Sequence, residues 1–233
     1  VLSLIVFLLC AVHQLRRGIV LALGLSAIAW AWRSGAFQRS SRTLNPLGCL
    51  PSALFYALSL PFAVLYVVHA LAPEASPDGA SYHLGMVSRY ATERGFVTLR
   101  SNMYAYLTQG VEMLFLHSFV FGRHSAAALT HLSFLFTLAS LILCYGRRIG
   151  HPTAGSAAAL FVFASPVAGI DAASAYIDVA TAAIVFAVFY LLEAWDSDRN
   201  ANMLWIAGLI GGFAFAAKYT AALIIPFAAL FVL

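Results

Sequence analysis

The sequence is short of charge. Lysine, arginine, aspartate and glutamate together make up 9% of the 233 residues, against about 25% in an ordinary water-soluble domain. Hydrophobic residues reach 62% and the mean hydropathy is +0.88. This excludes a water-soluble globule and leaves a polytopic membrane protein. Cysteine is scarce too. Cys10, Cys49 and Cys144 lie far apart with no CxxC pair, so no disulfide framework or cysteine zinc site is expected and they read as small apolar side chains. The net charge of +4 is no mark of nucleic-acid binding, because the basic residues fall in short loops between apolar runs. No small-residue cleavage site follows Val1–His13, which speaks against a cleaved signal peptide. The chain begins at Val1 without a Met and ends inside the apolar run "IIPFAALFVL", so it is expected to be a C-terminally incomplete piece of a longer protein.

What is present is a succession of apolar runs near the length of about 20 residues that a spanning helix needs. Helices are expected over 1–12, 18–32, 49–71, 125–145, 153–168, 175–195, 204–217 and 221–233. Residues 110–121 are apolar but short, and residues 81–94 have a polar face, so both are expected to lie in the membrane interface. Residues 1–48 read as N-terminal membrane segments of unassigned topology, and 49–233 as the main transmembrane domain. Lys and Arg favour cytoplasmic loops. Arg33, Arg39 and Arg42 before the 49–71 helix agree with Arg147 and Arg148 after the 125–145 helix if residues 110–121 do not cross. Asp78, Asp171, Asp178 and Lys218 then all reach the outer face and can line one site. Arg16 and Arg17 do not fit, since they fall outside if both of the first two segments span.

Ser76-Pro77-Asp78 reads as a helix start, with a Ser cap, Pro in the first position and an acid in the first turn. In a helix from there to Arg94, Asp78, Tyr82, Gly85 and Arg89 share one face, opposite a stripe of Met86, Val87, Tyr90 and Ala91. Asp78 is either a capping acid or a functional one. Asp178, in "SAYIDVATA", lies about one turn inside an apolar helix on a face with Ser174 and Thr181. An acid at membrane depth is a functional candidate by default, the plainer reading being one that reaches into the headgroups. Lys218 closes "GLIGGFAFAAK". The run is no P-loop, because no Gly precedes the Lys and Tyr219 follows it, so nucleotide binding is rejected. Lys218 reads as a phosphate contact or an interface anchor, and Gly208 and Gly212 are expected to allow close helix packing. His117, His124 and His131 recur every seven residues, a pigment-ligand stripe if they shared a face; Arg123-His124-Ser125 is expected to break the helix between them.

In chain order, "SPDGASYHLGMVSRYATERGF", "GVEMLFLHSFVFG", "LCYGRRIG", "SAYIDVATA" and "AGLIGGFAFAAKYTAALIIP" together resemble the GT-C class of membrane glycosyltransferases. The nearest group uses dolichyl- or undecaprenyl-phosphate sugars and includes protein mannosyltransferases and the lipid A aminoarabinose transferase. The resemblance implies an all-α transmembrane bundle with juxtamembrane helices in the first outer loop, placed in the inner cell membrane with its active face to the periplasm or exterior. It implies transfer of a sugar from a polyprenyl-phosphate donor to an acceptor hydroxyl. Asp78 falls where the family has its catalytic base, Asp178 where it has a second outer acid, and Lys218 where it has a lysine after the Gly-rich helix. Lys218 and Arg89 are the expected partners of the donor phosphate, with Tyr82, His83 and Arg100 as further substrate-site candidates. No metal ligands are assigned, and a divalent ion is compatible with the site without being required. The expected partners are the lipid-linked donor, membrane lipids and other membrane subunits, and no nucleic acid. Two departures stand out: Asp78-Gly79 replaces the Asp-Glu of many relatives, and the Lys-Pro before the second juxtamembrane helix is missing, with Tyr106-Leu107 near that place.

Two other readings stay open on the residues alone. One is a non-catalytic subunit that keeps the scaffold inside a larger assembly, with partner chains over Asp78 or pigments near His117 and His131. The other is a transporter with Asp178 and Lys218 as a coupling pair at the midplane.

Overall fold

The computed structural model describes residues 1–35 and 49–233, so Arg39 and Arg42, two of the residues used for orientation, lie outside the described residues. Among the described residues every regular element is helical. The order is α1 (Leu2–Ala11), α2 (Arg17–Arg33), α3 (Cys49–Leu71), α4 (Leu84–Glu93), α5 (Gly110–Arg148), α6 (Pro152–Phe163), α7 (Pro166–Ala173), α8 (Asp178–Asp198), α9 (Ala201–Ala217) and α10 (Ile224–Val232). Three described helices, α3, α5 and α8, are long and apolar enough to cross a membrane, and α6 with α7 makes a fourth if the pair counts as one bent span. The protein is an all-α integral membrane bundle.

α5 is two helices joined at a break. Gly122 (φ −129°) and Arg123 (φ 52°, ψ −140°) leave helical geometry, as expected from Arg123-His124-Ser125. The arm over 124–148 is long enough to cross a hydrocarbon core of about 30 Å. The arm over 110–121 lies across one end of the bundle. At its start, Ser3 Oγ donates to the Gly110 carbonyl (2.7 Å), and Gly110 is so close to the end of α9 that an added Cβ would sit 2.7 Å from the Ala216 carbonyl carbon. Just beyond its end, Ser125 Oγ donates to Leu71 O at the end of α3 (3.2 Å). Thr130 Oγ1 donates to Ser118 Oγ (2.9 Å) and pins the two arms together. The ends of α3 and α9 thus flank the first arm. We call this the site end. Arg148 marks the far end, where it pairs with Asp198 at the close of α8 (3.1 Å).

α1 also lies at the site end. Its carbonyl at Cys10 accepts from Phe96 N–H (3.2 Å), and Leu15 N–H donates to Arg94 O (3.1 Å). With ten residues, α1 is about 15 Å long, too short to cross. The awkward placing of Arg16 and Arg17 is thereby explained: their turn is fastened to the end of α4.

Three expectations need correction. The helix expected over 175–195 begins only at Asp178, so Asp178 is its first residue rather than one turn inside, and Ser174 ends α7 instead of sharing a face with it. The helix expected over 153–168 breaks, because Ser165 caps a new helix that begins at Pro166, and the two pieces meet at 61°. Gly208 and Gly212 do not support close packing: among the described residues nothing lies within 4 Å of a Cβ built on either. α9 buries another stripe, Ala207, Gly211, Ala214 and Ala217. The close helix contact is instead between α5 and α6, where a Cβ on Gly146 would come 2.5 Å from Gly155 Cα.

Candidate active site

The segment after α3 is organised as its sequence suggests, with one addition. Ser76 Oγ accepts from Gly79 N–H (3.2 Å) and so acts as the cap, while Asp78 makes no capping hydrogen bond and is exposed. Its carboxylate is therefore not consumed by the helix start. Residues Gly79–His83 form a π-helical turn before α4, a local widening of the kind often found at functional sites. The buried stripe is as expected, with Met86, Val87 and Tyr90 in the core.

Glu74 ties this segment to the start of α8. Its Oε1 accepts from Ser76 N–H (2.9 Å) and its Oε2 from Ala175 N–H (2.8 Å), across 101 residues. Burial works to raise the Glu74 pKa, but the Ser76 side chain, the Ala175 and Ser76 backbone N–H groups and the charge of His69 together hold it below its ordinary value. Two further side chains serve the same junction. Asp171 Oδ2 accepts from Val179 N–H (3.0 Å), and the fully buried His131 accepts from Ala180 N–H at Nε2 (3.2 Å) while its Nδ1 donates to Ser174 O (2.9 Å). Two of the open N–H groups in the first turn of α8, those of Val179 and Ala180, are satisfied by these side chains. Both ring nitrogens of His131 are thereby engaged, leaving neither for a pigment or metal. His117 packs instead beside Gly24, so the heptad histidines share no face.

At the mouth of this junction Lys218 Nζ donates to Asp178 Oδ1. The pair is open to solvent, with side-chain exposures of 36% and 61%, and it stands at the end of the bundle. A coupling pair for transport would be buried near the midplane.

Tyr82 stands in the π-helical turn before α4. Burial first, then the Asp78 charge, push its phenol up to about 12, with Tyr104, Asp178 and Glu112 adding to the effect. The phenol is protonated and able to donate at neutral pH. The ring stacks on Tyr104 (4.1 Å between centroids, 19°) and lies beside His83 (4.2 Å). His83 itself is buried and its Nδ1 lies 2.8 Å from Glu112 Oε1, while Glu112 Oε2 is buried without a hydrogen bond. Arg89 lines a cavity of about 430 Å³ with Tyr82, Gly85, Asn102 and Tyr104. Arg100 lies farther out, in an adjoining cavity with Arg89 and Glu93. No hydrogen bond or ion pair among the described residues joins Arg89 or Arg100 to Lys218. Nor, among them, do three or more His, Cys, Asp or Glu side chains group as a metal site. A larger, mainly apolar cavity of about 680 Å³ opens beside the end of α9, lined by Phe96, Leu107, Gln109, Phe213, Phe215 and Ala216.

Residues 99–233 match the model of the dolichyl-phosphate-mannose-protein mannosyltransferase family. The chain belongs to this family. It is a membrane glycosyltransferase of the GT-C kind, and the enzymes of its family draw on lipid-linked sugar donors. Comparison with curated proteins and with solved structures returned no match. The matched region contains Arg100, Asp178 and Lys218 and begins after Asp78, Tyr82, His83 and Arg89, so these four enter the site on geometry and resemblance.

Glu74 and Glu112 were not among the site residues expected from the sequence, and His131 was expected only as a pigment-ligand candidate. Glu112 had a usable signal, an acid inside the apolar run "GVEMLFLH", the same logic that singles out Asp178. The partners of Glu74 are set by tertiary contact, and no local pattern announces them.

Proposed function

We propose that the protein moves a sugar from a polyprenyl-phosphate donor to an acceptor hydroxyl at the outer membrane face, with Asp78 as general base. The observation that carries this is the position of Lys218, which follows directly on the α9 residues lining the apolar cavity. A lipid tail in that cavity leads its phosphate toward Lys218, two residues beyond the last α9 residue that lines it, Ala216. Lys218 exchanges Asp178 for the phosphate, and the released Asp178 carboxylate stays nearby to accept hydrogen bonds from the sugar.

The chemistry follows from charge. An acceptor hydroxyl has a pKa far above 7, so attack on the anomeric carbon needs its proton removed as the bond forms. Asp78 is an exposed carboxylate without a capping role, free to take that proton. The bond from the anomeric carbon to the phosphate oxygen breaks, and its electron pair leaves with the lipid phosphate. Lys218 stabilises that growing charge. Tyr82 donates from its phenol to a sugar or phosphate oxygen, and Arg89, which lines the same cavity as Tyr82, is the second cation for the donor phosphate.

A transfer assay on reconstituted protein with a polyprenyl-phosphate sugar separates these roles. Asp78→Asn keeps the shape and removes the base, so the turnover rate should fall about a hundredfold or more with donor affinity retained. Lys218→Met should weaken donor affinity, and Lys218→Arg should restore part of it, since charge survives while geometry changes. Full turnover in Asp78→Asn removes the base from Asp78. Unchanged donor affinity in Lys218→Met removes the phosphate from Lys218.

A further inference from the structure

α4 also borders a cavity of different character. Its Tyr82-side cavity meets Gly85 and Arg89, whereas Ser88, Ala91 and Thr92, on a neighbouring face of the helix, look into a cavity of about 560 Å³. Four arginines line it: Arg16, Arg17, Arg94 and Arg123. No residue is shared with the Tyr82 cavity or the apolar one.

The fold assembles these arginines from three separate places. Arg94 ends α4 in the left-handed region (φ 55°), and Arg123 stands at the break in α5 (φ 52°). Arg16 and Arg17 begin α2, and the bond from Leu15 N–H to Arg94 O (3.1 Å) holds that start against α4. Arg16 provides no side-chain cap to α2, so the first-turn N–H groups of this 17-residue helix add the partial positive charge of a helix N-terminus to the cavity wall. The lining contains no acid, and none of the four arginines pairs with an acid among the described residues. Like charges brought together without a counter-charge repel one another, so this arrangement favours an anion that the cavity receives from outside. Guanidinium forks and the Ser88 hydroxyl match the oxygens of a phosphate group, which can accept two parallel bonds from one arginine; the Thr92 hydroxyl is already donated to the Ser88 carbonyl (2.9 Å).

We propose that this cavity is a binding site for a phosphate-bearing anion, separate from the donor site. α4, the first arm of α5 and the start of α2 meet at the bundle end, and lipid headgroups lie at the ends of spanning helices. The phosphate of an anionic phospholipid and a soluble phosphate present the same chemistry to the arginines. Leu15, Phe119 and Val120 on the same wall offer apolar contact that suits the lipid.

The test uses the full chain in phosphatidylcholine nanodiscs, titrated in one arm with phosphatidylglycerol at constant total lipid. The other arm uses inorganic phosphate at constant ionic strength. Bound lipid is read by native mass spectrometry and stabilisation by the thermal midpoint. Wild-type protein should retain phosphatidylglycerol and gain stability from it. Arg16→Gln and Arg123→Gln should each lower the affinity about tenfold, the loss expected for one charged hydrogen-bonded contact. Arg16→Lys and Arg123→Lys should keep part of it, and the exposed Arg199→Gln should change nothing. Because Arg16 and Arg123 are exposed and form no ion pair among the described residues, circular dichroism should show all variants folded. Saturation by inorganic phosphate, with no added effect of phosphatidylglycerol, identifies a soluble anion as the occupant. If neither anion binds in a way that depends on Arg16 and Arg123, the proposal is wrong. Asp78→Asn should bind phosphatidylglycerol like wild type, so this proposal and the transferase reading fail on different measurements.

Discussion

Glu74 holds two distant pieces of chain in register with a single carboxylate. One oxygen takes the Ser76 N–H and the other the Ala175 N–H, which brings the Asp78 segment beside the start of α8. Its pKa is held below the ordinary value of 4.5, so the sign of the pH effect is set. The contribution is full above the unfolded value and disappears as pH falls through the lower folded value. Glu74→Gln should lower stability by about 1–2 kcal/mol near neutrality, as expected for weakening a charged hydrogen-bonded group. Thermal midpoints measured from pH 7 to pH 3 should show the wild-type advantage shrinking below about pH 4. A constant gap across that range would mean that the carboxylate charge has no part in the clamp. Little of this is legible in the sequence. The Ser76 cap and the Met86, Val87 and Tyr90 stripe follow from spacing, because cap and stripe are local. The Glu74–Ala175 and His83–Glu112 bonds join residues 101 and 29 positions apart, and nothing local encodes such a pairing.

The first arm of α5 is the element on which the site depends. It carries Glu112 to His83, passes against α9 just before Lys218, and reaches the end of α3. Its interfacial course is legible from length and loop charge, since 110–121 is too short to span and crossing would reverse Arg147 and Arg148. Its tight seat on α9 is not, because the residue that allows it, Gly110, looks like any glycine at a helix start. The Gly208 and Gly212 spacing misleads for the opposite reason: a small-residue pattern shows that close approach is tolerated, not that a neighbour is there. Gly110→Ala would force the Ala216–Ala217 backbone aside, and an overpacked contact of this kind costs about 1–3 kcal/mol. Its thermal midpoint should fall, and donor affinity with it, because Lys218 follows immediately. Gly208→Ala, with open space around the new methyl, should leave both unchanged or raise stability slightly. Equal behaviour of the two variants would show that the arm does not bear on α9.

At the scale of the whole molecule the question is which end faces outward. Arg147, Arg148 and Arg199 lie toward the far end with Asp198, and cations flanking spanning helices favour the cytoplasm. The site end, however, bears Arg16, Arg17, Arg89, Arg94, Arg100, Arg123 and Lys218, so a bare count of cations points the other way. The arrangement of these residues decides how they should be weighed. Lys218 is paired with Asp178, Arg89 and Arg100 line the cavities beyond Tyr82, and the remaining four converge on one acid-free cavity. Cations placed to bind anions are not evidence of topology, whereas Arg147 and Arg148 close a spanning arm in a short loop. The site end should therefore face outward. With the three native cysteines replaced by alanine, a membrane-impermeant maleimide added to intact cells should label Ala80→Cys, at an exposed position beside Asp78. Asn200→Cys, exposed in the turn between α8 and α9, should react only after the membrane is opened. The reverse pattern would put the arginine cavity and the site on the cytoplasmic face. The cation count would then be the better guide, and the donor would have to present its sugar from inside.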